Sequence, residues 1–413
     1  MIPKFRDYDP DKDKEAAHRI WREVGWLEKN KEHEAALDRF VACGHALVAE
    51  VNGETECMVL SAPGKIHYLD EAMPLLAITG VTVSRVARKQ GFAGRMTAQA
   101  IARGVAEGAA VAGLTMFEQG FYNLLGLGTG GYEHWVSFDP AQLQITGKPR
   151  IPFRITKKDC ARAHAARLRR LHGHGAVDLL PEAVTQSEMV WTKGGFGLGY
   201  ADEANDELTH YLWIRDNEEE HGPYDVVWMA YQTPEQFLEL LLLVKSLGDQ
   251  VRMVWMKEPP KIQFQDFLLQ PFRYRQLTDR SKYENRIKAS AYWQFRICDL
   301  QACLEKTHLC GEPVRFNLRL TDPIETFLDV SSPWRGVGGD YVVVLGPESR
   351  VEQGTDAALP TLTASVNVFS RLWLGVRPAT GLAITDNLSG PPELLSRLER
   401  VLRLPEPKFD WDF

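Results

Sequence analysis

Three short stretches of this 413-residue chain hold residue types at spacings that could do chemistry. The first is Val81-Thr82-Val83-Ser84-Arg85-Val86-Ala87-Arg88-Lys89-Gln90-Gly91-Phe92-Ala93-Gly94-Arg95, an apolar strand running into a basic, glycine-containing loop that opens a helix. Free N–H groups in the first turn of a helix point outward with partial positive charge, so this junction suits a pyrophosphate. Gly91 and Ala93 let phosphates approach the backbone, and Arg88 and Lys89 add neutralising charge. Many helices open this way without a ligand, so the loop gains weight only beside the second stretch. That stretch lies about thirty residues on, where Phe117-Glu118-Gln119-Gly120-Phe121-Tyr122-Asn123-Leu124-Leu125-Gly126-Leu127-Gly128 follows the next strand. A phenol with a pKa near 10 stays protonated at neutral pH, so Tyr122 could donate a proton to a leaving group. The plain alternative is a tyrosine that packs at a strand end. The third stretch is Phe409-Asp410-Trp411-Asp412-Phe413, where aromatics alternate with acids at period two and one face can be buried. After Pro405 and Pro407 it reads as a docked strand rather than a frayed tail. An α-carboxylate on Phe413 would be ionised at neutral pH, a weak base that attracts an ammonium group, and Asp410 and Asp412 would raise its proton affinity.

These stretches need elements to hold them, and the hydrophobic periodicity supplies a candidate set. Glu15 to Glu28 reads as a helix, and Ala46 to Val51 and Cys57 to Leu60 as strands joined at the hairpin signal Asn52-Gly53. Leu75 to Val83 reads as a strand buried on both faces. Phe92, Met96, Ile101 and Val105 recur at helical spacing, and Ala110 to Phe117 returns to strand. The result is a β-β-β-α-β order around one mixed sheet. A second α/β stretch has strands near Gly195 to Ala201, Thr209 to Arg215 and Asp225 to Met229, then a helix opened by Thr233-Pro234-Glu235. Further strands are expected at Val314 to Leu320, Tyr341 to Leu345 and Thr361 to Asn367, with a helix at Pro392 to Leu402.

Composition excludes several functions. The longest apolar runs, such as Leu240 to Val244, fall far short of the roughly 18 residues needed to span a bilayer, so no membrane role is expected. Met1 to Lys14 has no apolar signal region, and the default location is the cytoplasm. A net charge of −7 argues against nucleic acid as partner. The 6 cysteines are too sparse for a disulfide framework; Cys303, His308 and Cys310 lack a fourth ligand at matching spacing, so no metal is expected.

The order Arg88-x-x-Gly91-x-Ala93 after a buried strand, with Tyr122-x-x-x-Gly126 beyond the next strand, resembles the GNAT superfamily of acyl-CoA-dependent N-acetyltransferases. More closely the layout resembles the Eis (enhanced intracellular survival) family. The landmarks are Val81 to Gly94, Glu118-x-Gly120-x-Tyr122, Arg296-Ile297-Cys298-Asp299-Leu300, Leu320-Thr321-Asp322-Pro323 and a chain end of aromatic, acid and Phe413. The resemblance implies an α/β and α+β fold. It comprises a catalytic GNAT domain at 1–148, a second GNAT-like domain at 149–288, and a sterol carrier protein-like α+β domain at 289–413. It implies acetyl-CoA as co-substrate, held by Val81, Val83, Arg88, Lys89, Gly91, Phe92, Ala93 and Gly94, with the strand backbone on the pantetheine arm. Tyr122 becomes the acid that protonates the departing thiolate, and the Phe413 carboxylate the base. A hexamer is implied, and the acceptor would be an amine of the polyamine, lysine or aminoglycoside kind. Ala230 to Glu235, the matching junction of the second domain, has proline and acid instead of Arg-x-x-Gly and is expected to bind no coenzyme A. The chain departs from the family at Phe117, where a small serine is usual, and at Leu124 to Leu127, which are expected to line the acceptor side; Glu28 near Trp26 is a further pocket candidate. The competing readings are a non-catalytic acyl-CoA or lipid-binding protein and, from a likeness to N-myristoyltransferase, a longer-chain acyltransferase.

Overall fold

A computed structural model describes residues 3–116, 118–202, 204, 206–217, 220–271 and 280–413; Phe117 lies outside them. The chain forms two compact units, one from Met1–Gly131, Gly173–Leu180 and Ala291–Phe413, the other from Tyr132–His172 and Pro181–Ser290.

The main sheet of the first unit runs β1 (Lys4–Asp7), β2 (His45–Val51), β3 (Glu54–Tyr68), β4 (Glu71–Val83), β5 (Val111–Thr115), β15 (Trp293–Ile297) and β6 (Gly128–Thr129). A short strand, β9 (Val177–Leu179), adds to β3. The β2–β3 turn falls on Asn52 and Gly53, both at positive φ, as the dipeptide predicts. Helix α1 (Pro10–Glu23) starts five residues before the expected Glu15. Asp9 caps it, Pro10 needs no hydrogen-bond acceptor, and Asp11 and Asp13 suit the positive end. Helix α2 (Lys31–Ala42) follows. Helix α3 (Phe92–Ala106) crosses from β4 to β5, which run parallel. Its buried face carries Gly94, Ala98, Ala100 and Gly104, small residues that let it lie close on the sheet. Met96, Ile101, Ile78, Leu76 and Leu114 fill the contact, each large aliphatic chain contributing about 1.5 to 3 kcal/mol by burial.

The first unit also holds a four-stranded sheet ordered β18 (Arg350–Gln353), β17 (Gly339–Leu345), β16 (Val314–Thr321), β19 (Thr361–Ser365). Helices α7 (Leu300–Glu305), α8 (Val366–Trp373), α9 (Ala379–Thr385) and α10 (Pro392–Val401) belong to the same C-terminal stretch. The expected strand at Thr361 to Asn367 stops at Ser365, because Val366, Val368, Phe369, Leu372 and Trp373 fall on a buried helical face.

In the second unit the sheet order is β14 (Arg286–Ser290), β7 (Glu133–Phe138), β13 (Val254–Lys257), β12 (Tyr224–Ala230), β11 (Leu208–Asp216), β10 (Gly195–Ala201), β8 (Phe153–Ile155). Helix α6 (Pro234–Ser246) packs Phe237, Leu240, Leu241 and Val244 on one core; α4 (Cys160–Leu168) packs on another, and α5 (Glu182–Trp191) lies against α4. Here too a parallel pair, β12 and β13, is joined through a helix. The two sheets repeat one plan. In each, the strand beside the crossover pair is antiparallel to it and comes from a distant part of the sequence: β15 beside β5, and β7 beside β13. Sheet membership therefore crosses the expected boundaries at 148/149 and 288/289. Among the described residues no helix is long and apolar enough to cross a membrane.

Candidate active site

Strands β4 and β5 pair only at Leu75–Ala77 against Val111–Gly113. Beyond this point β4 continues to Val83, paired on its other side with β3 as far as Cys57. A register shift opposite Met58–Leu60 places the extra residue of a β-bulge at Gly80-Val81. The two parallel strands thus part, and the edge of β4 from Ile78 to Val83 is left without a strand partner on the β5 side among the described residues. Unpaired backbone N–H and C=O groups along such an edge can bond an extended ligand.

At the end of β4 the chain turns through Ser84, whose N–H donates to Glu56 O at 2.9 Å, and enters α3. Gly91 occupies the cap position at φ 78°, a left-handed conformation in which a side chain would be strained, and it offers no side-chain cap. No acid stands in the first turn. The N–H groups of Phe92, Ala93 and Gly94 have no acceptor within the helix, and Arg88, Lys89 and Arg95 are exposed around them. The start of α6 is different. Thr233 Oγ1 accepts from Gln236 N at 3.3 Å, Pro234 has no N–H, and Glu235 adds negative charge. These features fill the positions an anion would use.

Tyr122 begins a 3-10 turn, Tyr122–Leu125, that packs beside α3. It belongs to one apolar cluster with Cys57, Ile78 and Met96, against which Val81, Val83 and Phe92 also pack. Burial pushes its hydroxyl up to about 12, and Cys57 and Glu118 act in the same direction, so the group keeps its proton through the physiological range. Gly126 ends the turn at φ 81°. A Cβ there would come within 2.6 Å of Arg296 Nη1 and 2.7 Å of Val366 Cγ1. The Tyr-x-x-x-Gly spacing is thus explained by packing as well as by conformation. Arg296 and Asp322, with side chains 0% and 2% exposed, form an ion pair beneath it. Removing one partner of such a pair costs about 3 to 5 kcal/mol.

The tail is docked, but not as a strand: no ladder forms over 403–413. Its period-two pattern still governs burial, with Pro407, Phe409 and Trp411 inside. Phe409 stacks on Trp293 with centroids 4.5 Å apart, and Asp410 Oδ1 accepts from Val177 N at 3.0 Å. Phe413 N donates to Thr115 Oγ1 at 3.2 Å, which puts the last residue at the end of β5, two residues past the point where β4 and β5 separate.

Val81, Val83, Phe92 and Tyr122 are thus brought into one cluster; Gly91, Ala93 and Gly94 follow at the helix start; Phe413 bonds to Thr115 at the end of β5. Leu125 and Leu127 are fully buried core residues rather than acceptor-side residues, while Leu124 is 57% exposed. Glu28 is exposed, and Trp26 meets Trp21 edge to face; the Trp21 ring would touch a Cβ at Gly80 at 2.9 Å. Cys303 is buried, donating to Ala110 O, whereas Cys310 is exposed and His308 bonds Pro347 O. Sequence reasoning missed the bulge at Gly80-Val81, the Thr115 contact and the Arg296–Asp322 pair. Glycine in a strand was the available signal for the first.

Residues 5–130 are similar to the Acetyltransferase (GNAT) domain family. No curated protein matches the chain. Solved structures with the same fold include a probable N-acyltransferase from Enterococcus faecalis V583, with a TM-score of 0.79 at 16% identity over 100% of both chains. A GCN5-related N-acetyltransferase from Kribbella flavida aligns with a TM-score of 0.75 at 17% identity, over 100% of this chain and 98% of that one. Eis1 from Mycobacterium abscessus aligns over 100% of both chains with a TM-score of 0.76 at 14% identity.

Proposed function

We propose that the protein is an N-acetyltransferase that moves the acetyl group of acetyl-CoA directly onto an amine, with the site in its first unit. The observation that carries this reading is the parted β4 edge leading into the uncapped start of α3, with Tyr122 in the same cluster. The pyrophosphate lies on the N–H groups of Phe92, Ala93 and Gly94 with Arg88 and Lys89 beside it, and the pantetheine arm pairs with the backbone at Val81 and Val83. The thioester then reaches the gap between the strands. The Phe413 carboxylate attracts the ammonium form of the acceptor and takes its proton; the free amine attacks the thioester carbonyl. A backbone N–H near the bulge supports the oxyanion. As the C–S bond opens, Tyr122 donates to the sulfur, and the proton shed by the newly acylated nitrogen returns to the phenol through water. A phenol near 12 is a weaker acid than a thiol near 8.5, so a hydrogen bond to the developing thiolate supplies most of the stabilisation before the proton moves.

In the same reading the chain is Eis-like, its C-terminal stretch is the sterol carrier protein-like domain, the protein is cytoplasmic, and it works as a homo-oligomer, a hexamer by resemblance. The acceptor is a small-molecule or peptide amine. Thiol release from acetyl-CoA with polyamines, lysine peptides and aminoglycosides tests the activity. Amine-dependent release with acetyl favoured over longer acyl chains is expected. Saturable acyl-CoA binding with no release for any amine would refute an enzyme, and a preference for long chains would refute acetyl transfer.

A further inference from the structure

We infer that Arg296, Asp322 and Asn367 are positioning residues, which clamp the turn carrying Tyr122 and tie it to the first turn of α3; the inference rests on Tyr122 being the proton donor. Three of the five carbonyls that follow Tyr122 receive a side-chain donor from outside the turn. Asn367 Nδ2, at the start of α8, donates to Asn123 O at 2.8 Å and to Leu127 O at 3.0 Å. Arg296 Nη1, on β15, donates to Leu125 O at 2.6 Å. Leu127 N closes back onto Tyr122 O at 3.3 Å. A short 3-10 turn has few bonds of its own, so these external donors decide where its first residue points.

Asp322 extends the clamp. Its carboxylate accepts from Arg296 Nη1 at 3.1 Å and Nη2 at 2.5 Å, from Ile324 N at 3.2 Å and from Val337 N at 2.9 Å. It thereby orders the segment from Pro323 to Val337, whose Ile324 and Leu328 are buried in the Tyr122 cluster. Phe327 of that segment lies 3.1 Å from where a Cβ on Gly94 would be, in the first turn of α3. One buried charge pair therefore holds the turn of the proposed proton donor and backs the turn of the proposed phosphate site. Two of the segments that carry the family resemblance, at Arg296 and at Asp322, meet in it.

Arg296→Lys keeps the charge but cannot reach Leu125 O and both Asp322 oxygens together, and a disturbed buried pair can unfold the protein. The deciding variant is therefore Asn367→Ala, which is uncharged and half-buried. It is expected to lower kcat about tenfold, leave KM for acetyl-CoA within about twofold, and leave the thermal midpoint near the parent's. In a Tyr122→Phe background the same change should cost less than about twofold, because no positioned proton remains to be misplaced. Equal losses in both backgrounds, or no loss in the parent, would overturn the positioning role. A loss below about threefold for Tyr122→Phe alone would instead overturn the proton-donor reading, and the inference with it.

Discussion

At the scale of single residues, the sharpest test is Tyr122→Phe. Burial makes the phenol a weak acid, so the loss in kcat should sit near the lower end of general-acid effects, about 10²-fold, with acetyl-CoA affinity little changed. Steady-state kinetics against direct cofactor titration separates the two. Phe413 calls for a different change, since its proposed group is not a side chain. A few glycines added after it turn the carboxylate into an amide and should lower turnover at least about tenfold; an N-terminal tag of equal length is the control. Equal rates for the two tagged proteins would remove the terminus from the mechanism. His174 shows what burial does to a base. Its Nδ1 accepts from Leu69 N, Nε2 meets Leu374 O, and the ring of Tyr68, itself stacked on Trp373, meets the imidazole edge to face. Loss of hydration pushes the imidazole down to about 4, the Leu374 carbonyl opposing only in part. The unfolded chain then takes up the proton first, near 6.5. The contribution is complete above that pH and is lost as pH falls towards 4, by roughly 3 kcal/mol. Urea midpoints at pH 7 and pH 5 should therefore differ more for the parent than for His174→Gln; an unchanged difference would mean His174 titrates normally.

At the scale of elements, the loop into α3 is tested by charge alone. Nothing lies within 4 Å of a Cβ on Gly91, so Gly91→Glu and Gly91→Gln carry the same left-handed strain and the same bulk. Only the first sets a negative charge against the phosphates, so acetyl-CoA should bind much more weakly to the Glu variant than to the Gln variant, by isothermal titration. Similar affinities would place the pyrophosphate elsewhere. This junction was legible in the sequence because its signals are local: a buried strand, positive residues, a glycine where a helix begins. The Asn52-Gly53 hairpin and the Thr233-Pro234 helix start were legible for the same reason. The parting of β4 from β5 was not, since it depends on which residues of two distant strands fail to pair. Nor was the burial of Leu125 and Leu127, because their neighbours come from α3 and from the segment after Asp322. The tail was read correctly in its alternation and wrongly as a strand; period two marks a face, and a ladder needs a partner edge as well.

At the scale of the whole molecule, the exchange of strands between distant parts of the sequence has the largest effect. Residues 1–148 expressed alone should fail to give a cooperative melt. They lack β15, which covers the outer edge of β5, and Arg296 and Asn367, which hold the Tyr122 turn. Circular dichroism melts and thiol release on the fragment would show this, and a fragment as stable and active as the full chain would show that β15 is dispensable. The same arrangement sets a timetable for synthesis. When β6 has left the ribosome, the sheet still lacks its neighbour β15, about 160 residues further along. At 5 to 20 residues per second that is a wait of roughly 10 to 30 s, during which the edge of β5 is open to wrong partners. A nascent chain would gain from a chaperone over that interval, and a chain cut short before Trp293 would have no finished main sheet.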